Sequence, residues 1–335
     1  MPTVEFHDME SVNAQWAGAF EVVYDSDGWQ QFRRLDSALF MPPATDGLEE
    51  RARMCAGIHA TWTATSGHVV IEAEGPEDGS PFDVLVNGVL RHRLPGAGRV
   101  SHDLDLGDIP PHSRVQVWLP HYGFLRVLEV SLKGQDVKVA AETGKRWVAY
   151  GSSITQCRTA HGPSEAWPAL VARELGWRLQ SLGFGGECQL DPAAESTISQ
   201  LPADVISLCL GINSYNVAAF SGRTFASQVL GFVSNVRRAH PGVPIAVISP
   251  VLSVPREDVP NSAGWTLADY RKAVADVVRT VRERGDANVH LLDGASVFTP
   301  EEAVALMPDT LHPNNEGYRL MAERLGPRLA AVATG

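Results

Sequence analysis

Two hydrophobic periods divide the chain. Up to about residue 140, apolar and polar positions alternate over short runs broken by turns. From about residue 145, compact apolar runs alternate with stretches of helical spacing. In the first part, 58–65 and 68–73 are rich in β-branched and aromatic residues, with Ser66-Gly67 between them. The run 82–86 leads into Asn87-Gly88 and then 89–94. Asn-Gly between two alternating runs predicts a hairpin, because both turn residues take positive φ cheaply. Further strands are predicted at 114–119 and 125–130, with no long helical period between them. Residues 1–140 therefore read as an antiparallel β-sandwich of jelly-roll type.

The second part predicts strands at 147–151, 179–182, 205–210, 245–249 and 289–292. Helical patterns lie between and after them at 166–175, 193–201, 224–238, 267–284 and 316–332. Such alternation predicts a parallel sheet covered on both faces, and a run such as Val205-Ile206-Ser207-Leu208-Cys209-Leu210 suits a central buried strand. The expected organisation is a β-sandwich domain over 1–140, a junction at 137–145, and an α/β domain over 145–335.

Composition narrows the classes of function. Of 335 residues, 44% are hydrophobic and 20% charged, as in a soluble globular protein. No apolar run approaches the roughly 18 residues of a membrane span. The opening residues, Met1 to Asp8, lack a basic stretch followed by an apolar one, so a cytoplasmic location is expected. The net charge of −11 lies mostly in the first 140 residues. An acidic surface repels phosphate backbones and anionic lipids, which leaves small molecules as the expected partners. The seven histidines of the β-part are scattered without metal-ligand spacing, and no metal or cofactor is expected. Trp16, Trp29, Trp62 and Trp118 read as core or as a dimer-forming surface in preference to a sugar-binding face, so a homo-oligomer stays open. None of Cys55, Cys157, Cys188 and Cys209 forms a Cys-x-x-Cys pair, and Cys209 reads as a core residue. Cys157 and Cys188 read as reduced thiols, with a bridge between their loops as the alternative.

A parallel α/β sheet gathers function in the loops at the carboxyl ends of its strands. In order, these loops hold Gly151-Ser152-Ser153-Ile154-Thr155, Gly183-Phe184-Gly185-Gly186-Glu187 and Gly211-Ile212-Asn213-Ser214. Asp309-Thr310-Leu311-His312 follows just before the last helix. Acyl transfer needs a hydroxyl nucleophile, a base, a group that orients the base, and donors for a developing oxyanion. Ser153 can supply the hydroxyl and His312 the base. Asp309 lies three residues before His312, close enough in a bent loop to orient it. The Ser153 and Gly186 N–H groups and the Asn213 amide can face the oxyanion. Ser152 is the rival nucleophile by adjacency, and Gly185 the alternate donor.

Together these four segments resemble the four conserved blocks of the SGNH (GDSL-type) hydrolase superfamily over residues from about 145 to 333. The resemblance implies a flavodoxin-like three-layer α/β/α fold and esterase, lipase or deacetylase activity without metal. It carries the nucleophile to Ser153, the oxyanion donors to Gly186 and Asn213, and the Asp-x-x-His pair to Asp309 and His312. Ser152 stands where the family most often has Asp, and Ser214 where Asp usually follows Asn. The Gly-Ser-Ser-Ile-Thr form is similar to a bacterial subgroup that carries an N-terminal β-domain. A serine esterase acting on short O-acyl, chiefly acetyl, esters of a carbohydrate or other small molecule is the expectation. The alternatives are an acyltransferase with the same triad and a carbohydrate-binding protein with a vestigial site. Ser152, His161, Glu187 and Tyr215 are the candidate substrate contacts, and loops 156–165, 214–223 and 252–266 are expected to shape the pocket.

Overall fold

The computed structural model describes residues 10–42 and 45–334, so the opening segment read for a leader lies outside the described residues. The first part forms two antiparallel sheets. One runs in the order Glu21–Tyr24, Gln30–Arg33, Arg126–Gln135, Ser66–Gly75, Gly98–Asp105, with Glu10–Asn13 also pairing to Arg126–Gln135. The other runs Lys138–Val139, His59–Ala64, Ser113–Trp118, Phe82–Val86, Val89–Leu94, with Trp16–Ala17 pairing to His59–Ala64. The strands on either side of Thr65 thus belong to different sheets. The chain turns the corner there so that both strands present apolar residues to a common interior. Trp62, Ile71, Phe82, Val117 and Leu132 fill that interior. The hairpin at Asn87-Gly88 forms with φ of 51° and 78°. Three features have no counterpart in the expected pattern: the early strands before residue 34, a short helix, Asp46–Ala52, and the strand Gly98–Asp105.

The second part is a five-stranded, all-parallel sheet. Its spatial order is Arg178–Gly183, Arg146–Gly151, Val205–Cys209, Ile245–Ile248, Val289–Leu292. In chain order this is 2-1-3-4-5, the doubly wound order whose switch point lies between the first and third strands. A crevice opens there, because the chain leaves these two neighbouring strands in opposite directions. Among the described residues no helix is long and apolar enough to cross a membrane.

Strand Arg178–Gly183 stands at the sheet's edge, where unpaired backbone groups need cover. The β-part supplies it. Arg34 is fully buried, and its Nη1 donates to the carbonyls of Ser181 (3.0 Å) and Gly183 (2.9 Å), two alternate groups on the open edge. Its Nε donates to Met54 O at 2.6 Å and its Nη2 to Arg51 O. The guanidinium also lies 4.7 Å from the Phe184 ring centre. Further along the edge, Gln180 Nε2 donates to Gly18 O at 2.9 Å. A second clamp joins the halves elsewhere. The buried Asp83 carboxylate accepts from Arg93, at 2.7 Å from its Nε, and from Ser164 N and Oγ, while Arg93 also holds Glu165.

Candidate active site

Ser153 opens a helix of four residues, Ser153–Gln156, directly after strand Arg146–Gly151. Ser152 caps it, its Oγ accepting from Ile154 N at 3.2 Å, and Cys157 closes it in the left-handed region at φ 63°. The turn is tight enough that a Cβ on Gly183 would sit 2.3 Å from Gln156 N. Only glycine lets the end of strand Arg178–Gly183 approach the helix Ser153–Gln156 this closely. Ser153 is thereby lifted to the crevice floor, while Ser152 is turned fully inward.

The Ser153 Oγ lies 2.8 Å from His312 Nε2, and His312 Nδ1 lies 2.6 Å from Asp309 Oδ2. Asp309 Oδ1 also accepts from the main-chain N–H of Leu311 (3.0 Å) and His312 (2.7 Å), a wrap made possible by Thr310 at φ 65°. Partial burial pushes the Asp309 carboxyl up, but the hydrogen bonds from the His312 ring and the two amides outweigh it and hold the group below its ordinary value. An ionised Asp309 keeps the proton on Nδ1, so Nε2 is left to accept from the Ser153 hydroxyl. The loop is braced on both sides. Thr159 Oγ1 donates to Pro313 O at 2.7 Å, and Ser253 Oγ to Thr310 O at 2.8 Å.

Three donors border the same crevice. Gly186 adopts φ 81° with open space where a side chain would stand, and its N–H has no acceptor among the described residues. The Ser153 N–H is likewise without one, since it begins its helix. Asn213 is the second residue of the short helix Ile212–Asn216, and its Oδ1 accepts from Cys188 N at 3.1 Å. That bond fixes the amide so that its Nδ2 is the end left for the cleft. Gly185 is different: its N–H donates to Gln156 Oε1 at 2.8 Å and is not available.

These groups line a cleft of about 440 Å³ together with Arg51, Tyr122, Arg158 and Thr159. Of the four candidate substrate contacts, none borders it. Ser152 is a buried cap. His161 lies on another hollow beside Asn315 and Arg319, its N–H bonded to Asn315. Tyr215 is buried against Tyr270, with its hydroxyl donating to Val259 O at 3.0 Å. Glu187 packs over Gly47, and burial raises its carboxyl despite the Arg51 charge. Tryptophans 62 and 118 are core residues, Trp29 is buried and Trp16 half-buried. All four cysteines are free. Cys157 Sγ faces Ile154 O and Cys188 Sγ faces Cys209 O, so the two loops are not bridged. Among the described residues no group of three or more His, Cys, Asp or Glu side chains is placed to hold a metal.

The residues absent from the sequence reading come mainly from the β-part. Arg51 sits in the short helix and Tyr122 in the turn after Ser113–Trp118. Nothing in their local sequence points to a cleft, because docking of the two halves brings them there. Gln156 shows the coupling: its Nε2 contacts Met54 Sδ and His121 O while its Oε1 holds Gly185.

Fold and cleft together define a carboxylic ester hydrolase of the SGNH type. The chain belongs to the GDSL-like lipase/acylhydrolase family, which it matches over residues 149–320. Among solved structures it is similar to the salicylyl-acyltransferase SsfX3 from a tetracycline biosynthetic pathway. That likeness has 30% identity and a TM-score of 0.85 over 97% of this chain and 98% of that one. It is also similar in fold to a GDSL-like lipase-type protein from Bacteroides ovatus, at 20% identity and TM-score 0.77 over 98% of both chains. A family two carbohydrate esterase from Cellvibrio japonicus shares the fold at 15% identity and TM-score 0.65, over 98% of both chains. No curated protein matches the chain.

Proposed function

We propose that the protein is a serine esterase that hydrolyses short O-acyl, chiefly acetyl, esters of a small molecule or carbohydrate through an acyl-enzyme. The observation that carries the reading is the continuous chain from Ser153 Oγ to His312 to Asp309, with spacings of 2.8 and 2.6 Å, on the floor of a cleft. In the first step His312 Nε2 takes the Ser153 proton as Oγ attacks the ester carbonyl. The carbonyl oxygen becomes an oxyanion held by the Ser153 and Gly186 N–H groups and Asn213 Nδ2. Collapse breaks the bond to the leaving oxygen, which receives the proton from His312. Water then repeats the sequence on the acyl-enzyme, returning the acid and free Ser153.

Each oxyanion donor is worth roughly 2.7–4 kcal/mol in the transition state. The nucleophile alone decides whether any covalent step occurs. Ser153→Ala, with p-nitrophenyl acetate as substrate and circular dichroism as the folding check, is expected to abolish turnover in a folded protein. Retained turnover would sink the assignment. Labelling of Ser153 by a fluorophosphonate probe separates an active site from a vestigial one.

A second reading has an alcohol in place of water as acceptor. It is favoured by the likeness to the acyltransferase SsfX3 along nearly the whole of both chains. Product analysis with graded acceptor alcohols distinguishes the two, since a transferase yields new ester at the expense of free acid.

A further inference from the structure

The cleft carries a feature that ester hydrolysis as such does not require. Two guanidinium groups border it, and both approach the Tyr122 ring, Arg158 Cζ at 4.0 Å and Arg51 Cζ at 5.9 Å from its centre. Among the described residues the other titratable groups on its lining are Asp309 and His312, and the Asp309 carboxylate is committed to the histidine. A protein of net charge −11 thus presents two cations where substrate enters. Such a local reversal draws in anions that the rest of the surface turns away.

Each cation has a carboxylate near it, Glu50 for Arg51 and Asp78 for Arg158, yet each keeps donors free. Arg158 has its side chain more than half exposed, and its nearest carboxylate, Asp78, is 3.6 Å away. Its guanidinium makes no hydrogen bond among the described residues. Arg51 donates through Nε to Gly185 O at 3.1 Å and through Nη1 to Glu50 at 2.6 Å, and its Nη2 has no acceptor among the described residues. Gly185 in turn packs on Ser153, where a Cβ added to it would lie 3.5 Å from the serine Cβ. Arg51 is therefore one residue removed from the nucleophile. Contact with Tyr122 steadies the Arg158 head by a cation–π attraction. A planar guanidinium with unused donors matches the paired oxygens of a carboxylate or phosphate.

We propose that this cleft selects esters carrying an anionic group, a carboxylate or a phosphate, within a short spacer of the scissile carbonyl, with Arg158 and Arg51 as its specificity residues. The inference rests on the esterase reading above and deepens it. The test compares kcat/KM on matched pairs: 4-acetoxybenzoate against phenyl acetate, and 1-acetylglycerol 3-phosphate against 1-acetylglycerol. The wild type is expected to prefer the charged member of at least one pair, and the pair that shows it identifies the anion. Arg158→Gln is expected to lower that charged-to-neutral ratio about tenfold, the scale of one charge-assisted hydrogen bond at a half-exposed site. Arg158→Glu is expected to lower it further, and added salt to weaken the wild-type preference. A wild-type ratio of one or less for both pairs, or ratios unmoved by both variants, overturns the inference. Calorimetric binding of the same esters to the Ser153→Ala protein does not depend on turnover. Tighter binding of a charged member supports the anion site even if no ester is hydrolysed, and equal binding within both pairs refutes it.

Discussion

Arg34 offers the sharpest test of how the two halves make one site. It is a buried cation with no carboxylate against it among the described residues, and burial pushes its pKa down to about 9, so at neutral pH it is still charged. Four main-chain carbonyls, those of Met54, Ser181, Gly183 and Arg51, compensate that charge. Arg34→Met keeps much of the stem and removes all the donors. An unsatisfied buried polar group costs about 1–3 kcal/mol, and the low end applies to carbonyls, which have a second lone pair. Four such losses come to roughly 4 kcal/mol, a large part of the 5–15 kcal/mol that holds a typical domain together. A melting temperature lower by roughly 10 °C is the expected result, read by tryptophan fluorescence. Arg34→Lys retains the charge but not the fork, so an intermediate loss is expected. The Gly183 carbonyl begins the loop that carries Gly186, so kcat on p-nitrophenyl acetate should fall as well, even at temperatures where the variant is folded. A shift below about 2 °C in Arg34→Met, on the scale of under 1 kcal/mol, with unchanged kcat would refute the edge-cover account.

Two further predictions concern the oxyanion site and acid stability. Asn213→Ala should lower kcat about 10²–10³-fold with little change in KM, because its amide acts on charge that develops only in the transition state. An equal fall in affinity for substrate, seen as a raised KM at constant kcat, would place Asn213 in ground-state binding instead. Hydrogen bonds from Arg146 hold Asp204 down at about 2 against an ordinary 3.8, and Arg324 holds Glu302 at about 2 against 4.5. Both folded values are depressed, so the unfolded chain takes up protons first as pH falls. Their contribution is whole above about pH 5 and is lost on the way down to about pH 2. Urea midpoints should fall across that window, and less steeply in Asp204→Asn; identical slopes would show that the Arg146 pair contributes nothing.

The layers of the fold could be read because their causes are local. Alternation at 82–86 and 89–94 with Asn87-Gly88 between them specifies a hairpin on its own, and doubly apolar runs such as Val205–Cys209 specify buried parallel strands. The pattern predicts no strand at 98–105, and it predicts only 125–130 of the strand Arg126–Gln135. The first is a half-buried strand with polar residues such as Arg99, Ser101, His102 and Asp103, and the second runs five residues past its apolar stretch to pair with Ser66–Gly75. Tertiary pairing extends strands beyond what their own pattern demands. The nearness of Ser153, His312 and Asp309 followed from the order of loops on a 2-1-3-4-5 sheet, since its strand ends converge on one crevice.

The choice of cleft wall obeys a different logic. Ser152, His161, Glu187 and Tyr215 are neighbours of the reacting groups in sequence, yet capping, a helix N-terminus, Gly47 and Tyr270 draw their side chains or loops elsewhere. Arg51 and Tyr122, by contrast, lie in a short helix and a turn of the other half, 102 and 31 residues before Ser153. They reach the cleft because strand Arg178–Gly183 has an open edge that the β-part covers, and the covering segment runs from Arg34 through Met54. The need to satisfy that edge therefore fixes which surface of the β-part faces the nucleophile. Given this, the β-part is a wall of the site as well as a neighbour of it. Changes in substrate charge preference among chains of this architecture should map to residues 51, 122 and 158 more than to the loops that bear Ser153, Gly186, Asn213 and His312, because those loops are bound by the geometry of acyl transfer and the wall is not.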